Sequence, residues 1–487
     1  MLSFKELILI DKTCETAIYL QIANAFIHNI RRGTLRKSLK LPGSRELSME
    51  LGIHRNTMLA AYEELSVQGW VEMIPRKGTF VVEHLPEIKP VNINNEETIR
   101  QYPRKTIFSL DDKKIVLFPS IDFPESMSLT INDGFPDIRL APTELFIREM
   151  RSLSRQPAIR KYYLYGNPRG PIYLRETLAA FLSDTRGLPI SAANVMVTKG
   201  AQMGIFLAAS LLVKPGDNVI VGEPSYFAAT LTFEQIGAAI NRVQVDDSGI
   251  DVDAIEALCK KKKIRLVYVI PHHHHPTTVT LTPERRIQLL ELAAKYKFAV
   301  IEDDYDYDFH YTGNPILPMA SLDNHGNVIY IGTLTKTLAP AMRVGFIVAP
   351  ENFINAVANF RRGIDGQGDS MMEVAIGELY RNGTIGRHIK KVVKVYHERR
   401  DHFCKLLTDK IGDHVSFKIP AGGMSVWTKF MDADVKDVAE RAAKKGLTMS
   451  KGSVYNSIVN YNSTRLGFAS LNEKEQEKAI GILAKCL

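Results

Sequence analysis

The chain has 487 residues, with 62 Lys and Arg against 54 Asp and Glu for a formal net charge of +8, and 45% hydrophobic content. This is ordinary globular composition that excludes wholesale disorder, and at roughly 100–200 residues per domain the length allows about two to four domains. Four cysteines, Cys14, Cys259, Cys404 and Cys486, lack CxxC or CxH spacing, which excludes a disulfide scaffold and a cysteine-built zinc site and fits a reducing cytoplasm. No apolar run reaches the ~18 residues of a membrane span. The opening MLSFKELILIDKTCE has no basic leader of a secretory signal. The expectation is a cytoplasmic protein with no membrane partner. The basic balance raises the question of nucleic acid, but residues 1–85 hold only 11 Lys and Arg against 9 Asp and Glu, so net charge does not answer it.

Ile18, Ile22, Phe26 and Ile30 recur at four-residue intervals, the pattern of an amphipathic helix. Arg31 and Arg32 suit its C-terminus. In the following segment, LPGSRELSMELGIHRNTMLAAYEELSVQGW, Ser44 is expected to cap a short helix running from Arg45 to Gly52. A second helix starts near His54, with Met58, Ala61, Tyr62 and Leu65 as its apolar stripe and Gly69 at its left-handed end. Two helices joined by a short Gly-containing turn make a helix-turn-helix candidate. WVEMIPRKGTFVV then reads as a hairpin with a basic tip, which completes a winged helix.

In that geometry the second helix lies in the major groove with its first residues toward the bases. Arg55 suits guanine, Asn56 suits adenine, and Thr57 suits a phosphate or a thymine methyl. Arg45 is placed to hold a phosphate, and Arg76 and Lys77 would reach phosphate or minor groove from the wing. A small helical interaction domain with solvated arginines would share the same periodicity.

The stretch from Glu83 to Lys114 is polar, carries three prolines and has no sustained apolar period. It reads as an interdomain connection. The expected organisation is a DNA-binding domain at 1–82, a linker at 83–120 and a larger domain at 121–487. In that domain the runs VMV, NVIV, RLVYVI, FAVIE and NVIYIG alternate with helical stretches, the reading of a mostly parallel sheet with helices on its faces. Ligands then sit at the C-terminal ends of the strands.

Five segments at such ends carry chemistry-bearing residues. VMVTKGAQMGIF turns through Gly200, Ala201 and Gln202 into a helix, and a helix start is a phosphate cradle. NVIVGEPSYF places Tyr226 just past a strand. AVIEDDYDYDF ends an apolar strand on Asp303 and Asp304, an odd place for carboxylates unless something cationic meets them. NVIYIGTLTKTLAPAMRVGFIV carries Lys336 and Arg343, and STRLGFASL carries Arg465 inside an apolar segment. Each has a bland reading alone, but together they assemble one chemistry. A lysine amine can bond an aldehyde. A carboxylate can keep a pyridine nitrogen protonated. A helix start, hydroxyls and an arginine can hold a phosphate, and a further arginine can hold a carboxylate bidentately. The implied cofactor is pyridoxal 5′-phosphate.

The N-terminal segment resembles the GntR family, whose signature runs L-P-S-x-R-x-L, S-R-x-T-V, E-x-L-x-x-x-G and G-x-G-T-F-V. His54 departs from it where a capping Ser is usual. The larger domain resembles fold-type I aminotransferases, and IEDDYDYDF, GTLTKTLAPAMRVGF, RRIQLLELAA and YLYGNPRG are similar to the MocR/GabR family, which fuses the two parts. The resemblance implies a winged helix-turn-helix plus an α/β pyridoxal-phosphate transferase fold with a small α+β C-terminal subdomain.

It also implies roles. Lys336 would form the internal aldimine, Asp303 would meet the pyridine nitrogen, Tyr305 the ring hydroxyl, and Tyr226 would stack on the ring. Gly200, Ala201, Gln202, Thr333, Thr335 and Arg343 would hold the phosphate, and Arg465 the effector carboxylate. Tyr165 would reach the partner subunit's phosphate, implying a homodimer, domain-swapped in one arrangement. The implied function is a transcription regulator that binds paired half-sites of double-stranded operator DNA and senses an amino acid, an amine or the cofactor itself. The alternative is a competent amino-acid aminotransferase with a fused DNA-binding domain, and slow half-transamination fits either.

The departures gather in IPHHHHPTTVTLTP, where the family has T-P-S-H-Q-[FY]-P-T-G. Thr278 replaces Gly, and His275 stands where aminotransferases keep the Asn that bonds the ring hydroxyl. His272, His273, His274 and His275 invite a metal, but neighbours in an extended segment point to opposite faces. The expectation is no metal, with the histidines lining the cofactor pocket.

Overall fold

The structure, a computed structural model, describes residues 3–85 apart from 13 and 15, 105–109, and 129–487 apart from 314 and 457. The expected linker at 83–120 lies almost wholly outside the described residues. The chain divides into two compact units, 1–109 and 110–487.

The first unit runs α1 (Phe4–Leu7), α2 (Ile18–Arg31), α3 (Ser44–Leu51), α4 (Arg55–Val67), then the hairpin β1 (Val71–Ile74) and β2 (Gly78–Val81). The four-residue spacing in α2 turns Ile22, Phe26 and Ile30 onto one stripe, packed with Leu47 of α3, Met58, Ala61 and Leu65 of α4, and Val71 and Val81 of the hairpin. This is the amphipathic packing that the pattern predicts. Tyr62 donates from its hydroxyl to the Pro42 carbonyl at 2.7 Å, tying α4 to the turn before α3. Ser44 is not a cap, which corrects the expectation. It is the first helical residue, Gly43 occupies the cap position, and no side chain bonds there. Gly52 closes α3 at φ +63. His54 does cap α4, its Nδ1 accepting from the Asn56 N–H at 3.3 Å. The imidazole therefore does the work of the missing Ser.

The second unit is built on β3 (Leu129–Ile131), β4 (Val195–Thr198), β5 (Asn218–Glu223), β6 (Ala239–Asp246), β7 (Gly249–Ile250), β8 (Ile264–Val269), β9 (Ala299–Asp304), β10 (Val328–Thr333), β11 (Gly345–Val348), β12 (Val415–Phe417), β13 (Ser425–Phe430), β14 (Leu447–Met449) and β15 (Ser463–Gly467). Eight strands form one sheet in the order β4-β11-β10-β9-β8-β5-β6-β7. The pairs from β10 through β6 are parallel, and β11 is antiparallel to both β10 and β4. Alternation along each strand serves two helical layers. Beyond α5 (Thr143–Ser154), Val195 and Val197 pack with α6 (Ile172–Arg186) on one face, whereas Met196 packs with α7 (Ala201–Leu212) and the helix Glu351–Arg362 on the other. Period-two side chains buried on both faces are the signature of a sheet covered on both sides.

A smaller C-terminal part holds the antiparallel sheet β12-β13-β15 and the 28-residue helix Thr384–Ile411. β3 joins it by pairing parallel with β14, Leu129 opposite Leu447. The Gly467 N–H then donates to the Asn132 carbonyl at 2.8 Å, which brings the turn after β3 beside the end of β15. Among the described residues no helix is long and apolar enough to cross a membrane.

Candidate functional site

In the first unit Arg45, Arg55, Asn56, Arg76 and Lys77 are exposed and Thr57 is half-buried. Arg55, Asn56 and Thr57 are the first three residues of α4, and Arg45 is the second of α3. Arg76 sits at the hairpin tip in left-handed backbone, φ +64. None of these cations has an ion pair among the described residues. Arg31 and Lys40, by contrast, are drawn over the rings of Trp70 and Phe80, at 5.1 and 5.9 Å, so the unengaged cations are a subset.

In the second unit the ends of β4, β10 and β11 meet. Gly345 is paired with Thr198 on one side and Thr333 on the other. A Cβ at Gly345 would lie 2.6 Å from the Gly200 carbonyl carbon, so only glycine allows this approach. Gly200, at φ +80, turns the chain into α7, whose first N–H groups have no acceptor within the helix. The Arg343 guanidinium lies against the same glycine, with Nη2 3.0 Å from the place a Gly200 Cβ would take. Thr333 Oγ1 lies 2.8 Å from Thr335 Oγ1. Gly200, Ala201, Thr333, Thr335 and Arg343 are thus brought together. Gln202 contributes only backbone here, because its amide is turned to α8 (Phe227–Ile236), donating to Thr232 Oγ1 at 2.7 Å and the Ala228 carbonyl at 3.2 Å. Tyr165 is fully exposed.

Deeper in, Asp303 on β9 accepts from the Tyr268 hydroxyl at 2.6 Å through Oδ2, while its buried Oδ1 has no partner. Burial pushes its carboxyl up to about 7, against the pull of the Tyr268 bond and helped by Asp304 and Asp306. Asp304 finds its partners within the fold, with the His272 ring at 3.4 Å, the Tyr330 hydroxyl donating at 2.8 Å and the charge of Arg186 favouring its anion. Tyr305 donates to the His273 carbonyl at 2.8 Å. Tyr226 occupies the cap position before α8, with its ring edge-on to His275 at 5.0 Å.

Lys336 follows β10. Its Nζ donates to the Gly134 carbonyl at 2.8 Å and lies 4.8 Å from the Phe135 ring and 5.9 Å from the Tyr305 ring. Burial draws the amine down to about 8, against the opposing pull of Asp133. A depressed amine is a usable nucleophile near neutral pH. Arg465, 2% exposed on β15, pairs through Nε with Asp133 Oδ1 at 2.7 Å.

Asp133 is the principal residue the sequence reading missed. It also accepts from the Tyr455 hydroxyl at 2.8 Å and faces His275 Nε2 at 2.9 Å. Burial works against its anion, but His275 and Arg465 hold its carboxyl well below the usual range. Burial likewise draws His275 below its usual value, outweighing Asp133. In sequence Asp133 sits in Asn-Asp-Gly, an ordinary turn signal, and only the β3–β14 pairing carries that turn to the pocket. Tyr268 carried a weak signal, since a tyrosine inside a buried strand needs a hydrogen-bond partner.

The histidine loop corrects a further expectation. Its segment is not extended, because His273 takes left-handed backbone at φ +43, and each ring goes its own way. His272 contacts the Ile316 carbonyl, His273 the Asp306 carboxylate, His274 the Thr277 hydroxyl, and His275 alone faces Asp133 and Tyr226. Among the described residues no group of three or more His, Cys, Asp or Glu is arranged to hold a metal ion. Thr278 occupies the family's Gly position at φ +64, a conformation that an L side chain rarely takes.

Two family profiles match the chain. Bacterial regulatory proteins of the gntR family match residues 18–81, and aminotransferase class I and II matches residues 127–483. The chain belongs to the aminotransferase class I and II family. Its N-terminal GntR domain makes it a DNA-binding transcription regulator of the MocR/GabR type. The Rhizobium meliloti protein named probable rhizopine catabolism regulatory protein MocR is 24% identical over 98% of this chain and 95% of its own length. Aromatic-amino-acid aminotransferase 1 of Thermococcus litoralis is 30% identical over 74% of this chain and 88% of its own. Among solved structures, the Pyrococcus horikoshii kynurenine aminotransferase in complex with PMP superposes with a TM-score of 0.69 and 31% identity, covering 74% of this chain and 91% of that one. The pocket of the MocR/GabR-type regulator fits the cofactor of this fold, pyridoxal 5′-phosphate. The orphaned Asp303 Oδ1 is a buried acceptor that a protonated ring nitrogen would satisfy, and the helix start beside Arg343 suits a phosphate.

Proposed function

We propose that this regulator senses an amino acid or amine, or pyridoxal phosphate itself, through Lys336, and that occupancy of the pocket changes how a dimer grips paired operator half-sites. The observation that carries the reading is the buried, half-satisfied Asp303 in one pocket with a lysine amine drawn down to about 8, in a chain that begins with a DNA-reading unit. Bound pyridoxal phosphate supplies an aldehyde that reacts with amines and a ring that withdraws electrons. The remaining work falls to the chain. Lys336 offers its neutral amine. Asp303 would hold the ring nitrogen's proton, Tyr305 would meet the ring hydroxyl, and Tyr226 would cover the ring face. The α7 N-terminus with Thr333, Thr335 and Arg343 would anchor the phosphate. Arg465 governs which ligands enter, and Tyr165 reaches toward a partner subunit. A ligand shifts DNA binding only by its differential affinity for two arrangements of the protein.

On the DNA side, Arg55→Ala is expected to weaken operator binding by about ten- to a hundredfold and relax preference at one base, as loss of a bidentate contact does. Lys77→Ala should weaken binding to all sequences alike and lower the salt slope by about one. Fluorescence anisotropy with operator and scrambled duplexes at several salt concentrations checks both. Uniform weakening by Arg55→Ala would remove α4 as the reading helix.

Cofactor capture should also depend on pH in a set way. Because the Lys336 amine is drawn down to about 8, its neutral fraction falls tenfold per unit below that pH and saturates above it. The capture rate of apo-protein, followed by absorbance, should rise from pH 6 to 8 and level off. A continued rise to pH 10 would mean an unperturbed lysine.

A second reading, a working aminotransferase, is favoured by the same Lys336 and Asp303 and by the 30% identity to an aromatic-amino-acid aminotransferase. Multiple turnovers of an amino acid with a 2-oxo acid would favour it. A single stoichiometric conversion favours sensing.

A further inference from the structure

The pocket contains an anion of its own. Asp133 pairs with Arg465 at 2.7 Å, on the guanidinium that would otherwise receive a ligand's carboxylate. The other edge of that guanidinium is engaged too. Nε also faces the Asp133 carbonyl at 3.4 Å and Nη1 donates to the Pro276 carbonyl at 3.2 Å, so each two-donor edge of the guanidinium already has one donor taken. No fork of two parallel donors is left for the bidentate grip that makes arginine a carboxylate receptor.

Nor is Asp133 a loose flap. The Tyr455 hydroxyl and His275 Nε2 hold it from two further sides. Asn132 Oδ1 pins its turn by accepting from the N–H groups of Gly134 at 3.0 Å and Phe135 at 2.8 Å, and the β3–β14 pairing fixes the approach. The ring that could have offered a second positive charge, His275, already faces Asp133 at 2.9 Å, and burial disfavours its charged form. An incoming carboxylate therefore meets a guanidinium already neutralised, beside an anion held from three sides, where like charges repel. Displacing Asp133 would separate it from its cation. An amine has no such conflict, since its nitrogen is directed to the Lys336 side of the pocket.

We infer that Asp133 acts as a built-in carboxylate that occupies Arg465, so that the ligand of this pocket is a primary amine bearing no carboxylate on the carbon next to its nitrogen, rather than an α-amino acid. The inference rests on the reading of Lys336 as the residue that holds the cofactor.

Matched pairs differing only in that carboxylate test it: L-phenylalanine with 2-phenylethylamine, L-leucine with 3-methylbutylamine, and L-methionine with 3-(methylsulfanyl)propylamine. Binding to the cofactor-loaded full chain is measured by titration calorimetry, with the visible absorption band recorded alongside. The expected result is at least one pair in which the amine binds ten-fold or more tightly than its amino acid. Asp133→Asn and Asp133→Ser, which leave Arg465 charged and unopposed, should move that ratio at least ten-fold toward the amino acid. Amino acids binding as tightly as the amines in every pair, binding by neither member of any pair, or an unchanged ratio in a folded Asp133 variant would overturn the inference. The native comparison decides even if both variants misfold. Absence of any cofactor band would instead count against the reading of Lys336, so the two failures are distinguishable.

Discussion

Replacing Lys336 by alanine is expected to remove the visible absorption band of the cofactor-loaded protein entirely while leaving the fold intact. The band requires the lysine nitrogen bonded to the cofactor aldehyde, and Lys336 is the one lysine between β10 and β11. The fold should tolerate the change because Lys336 lies in the loop beyond the strand and makes one hydrogen bond, to the Gly134 carbonyl. Its burial disfavours the charged form, as the amine drawn down to about 8 records. Removing such a group costs little, on the order of 1 kcal/mol or less. Absorption spectra and thermal melts of both proteins check this. A persisting band would remove Lys336 from its role, and with it the cofactor assignment.

Phe26→Ala is expected to abolish DNA binding without touching the cofactor band. Phe26 is fully buried at the centre of the first unit, packed against Phe4 and Tyr62 with ring centroids 6.1 and 5.8 Å away. Truncating a buried phenylalanine costs about 3–5 kcal/mol. A unit of this size has a total stability of roughly 4–12 kcal/mol at about 0.05–0.15 kcal/mol per residue, so the change removes a large share of it. The second unit has its own cores on both faces of its sheet, so its cofactor site should survive. Calorimetry should show the lower-temperature transition shifted or lost, with the visible band unchanged. Joint loss of both would mean that the two units do not fold separately.

Much of this was legible in the sequence where chemistry and periodicity agree. The α2 stripe of Ile22, Phe26 and Ile30 announces itself, and so do strands whose runs end in a Lys, an Asp pair or a Gly turn. Three things were not legible, each for a physical reason. β11 is a four-residue strand, too short to carry a direction, and its antiparallel insertion between β4 and β10 is a tertiary decision. The histidine run suggests an extended segment by composition, but one left-handed residue, His273, separates the rings. Asp133 lies 332 residues before Arg465 in the chain, and no local pattern predicts that a turn aspartate will neutralise a buried arginine. Ser44 is a smaller case, since a capping residue type is common inside a first helical turn as well as before it, and the backbone chose Gly43.

The central claim is that pocket and DNA-reading unit are coupled. Its most direct test is the dissociation constant of one pocket ligand, 2-phenylethylamine or whichever matched-pair member binds the cofactor-loaded protein most tightly, measured with and without saturating operator duplex selected from random sequence. Coupling must be reciprocal, and typical values predict a change of about 5- to 150-fold between the two conditions. Equal constants in both conditions would contradict the account.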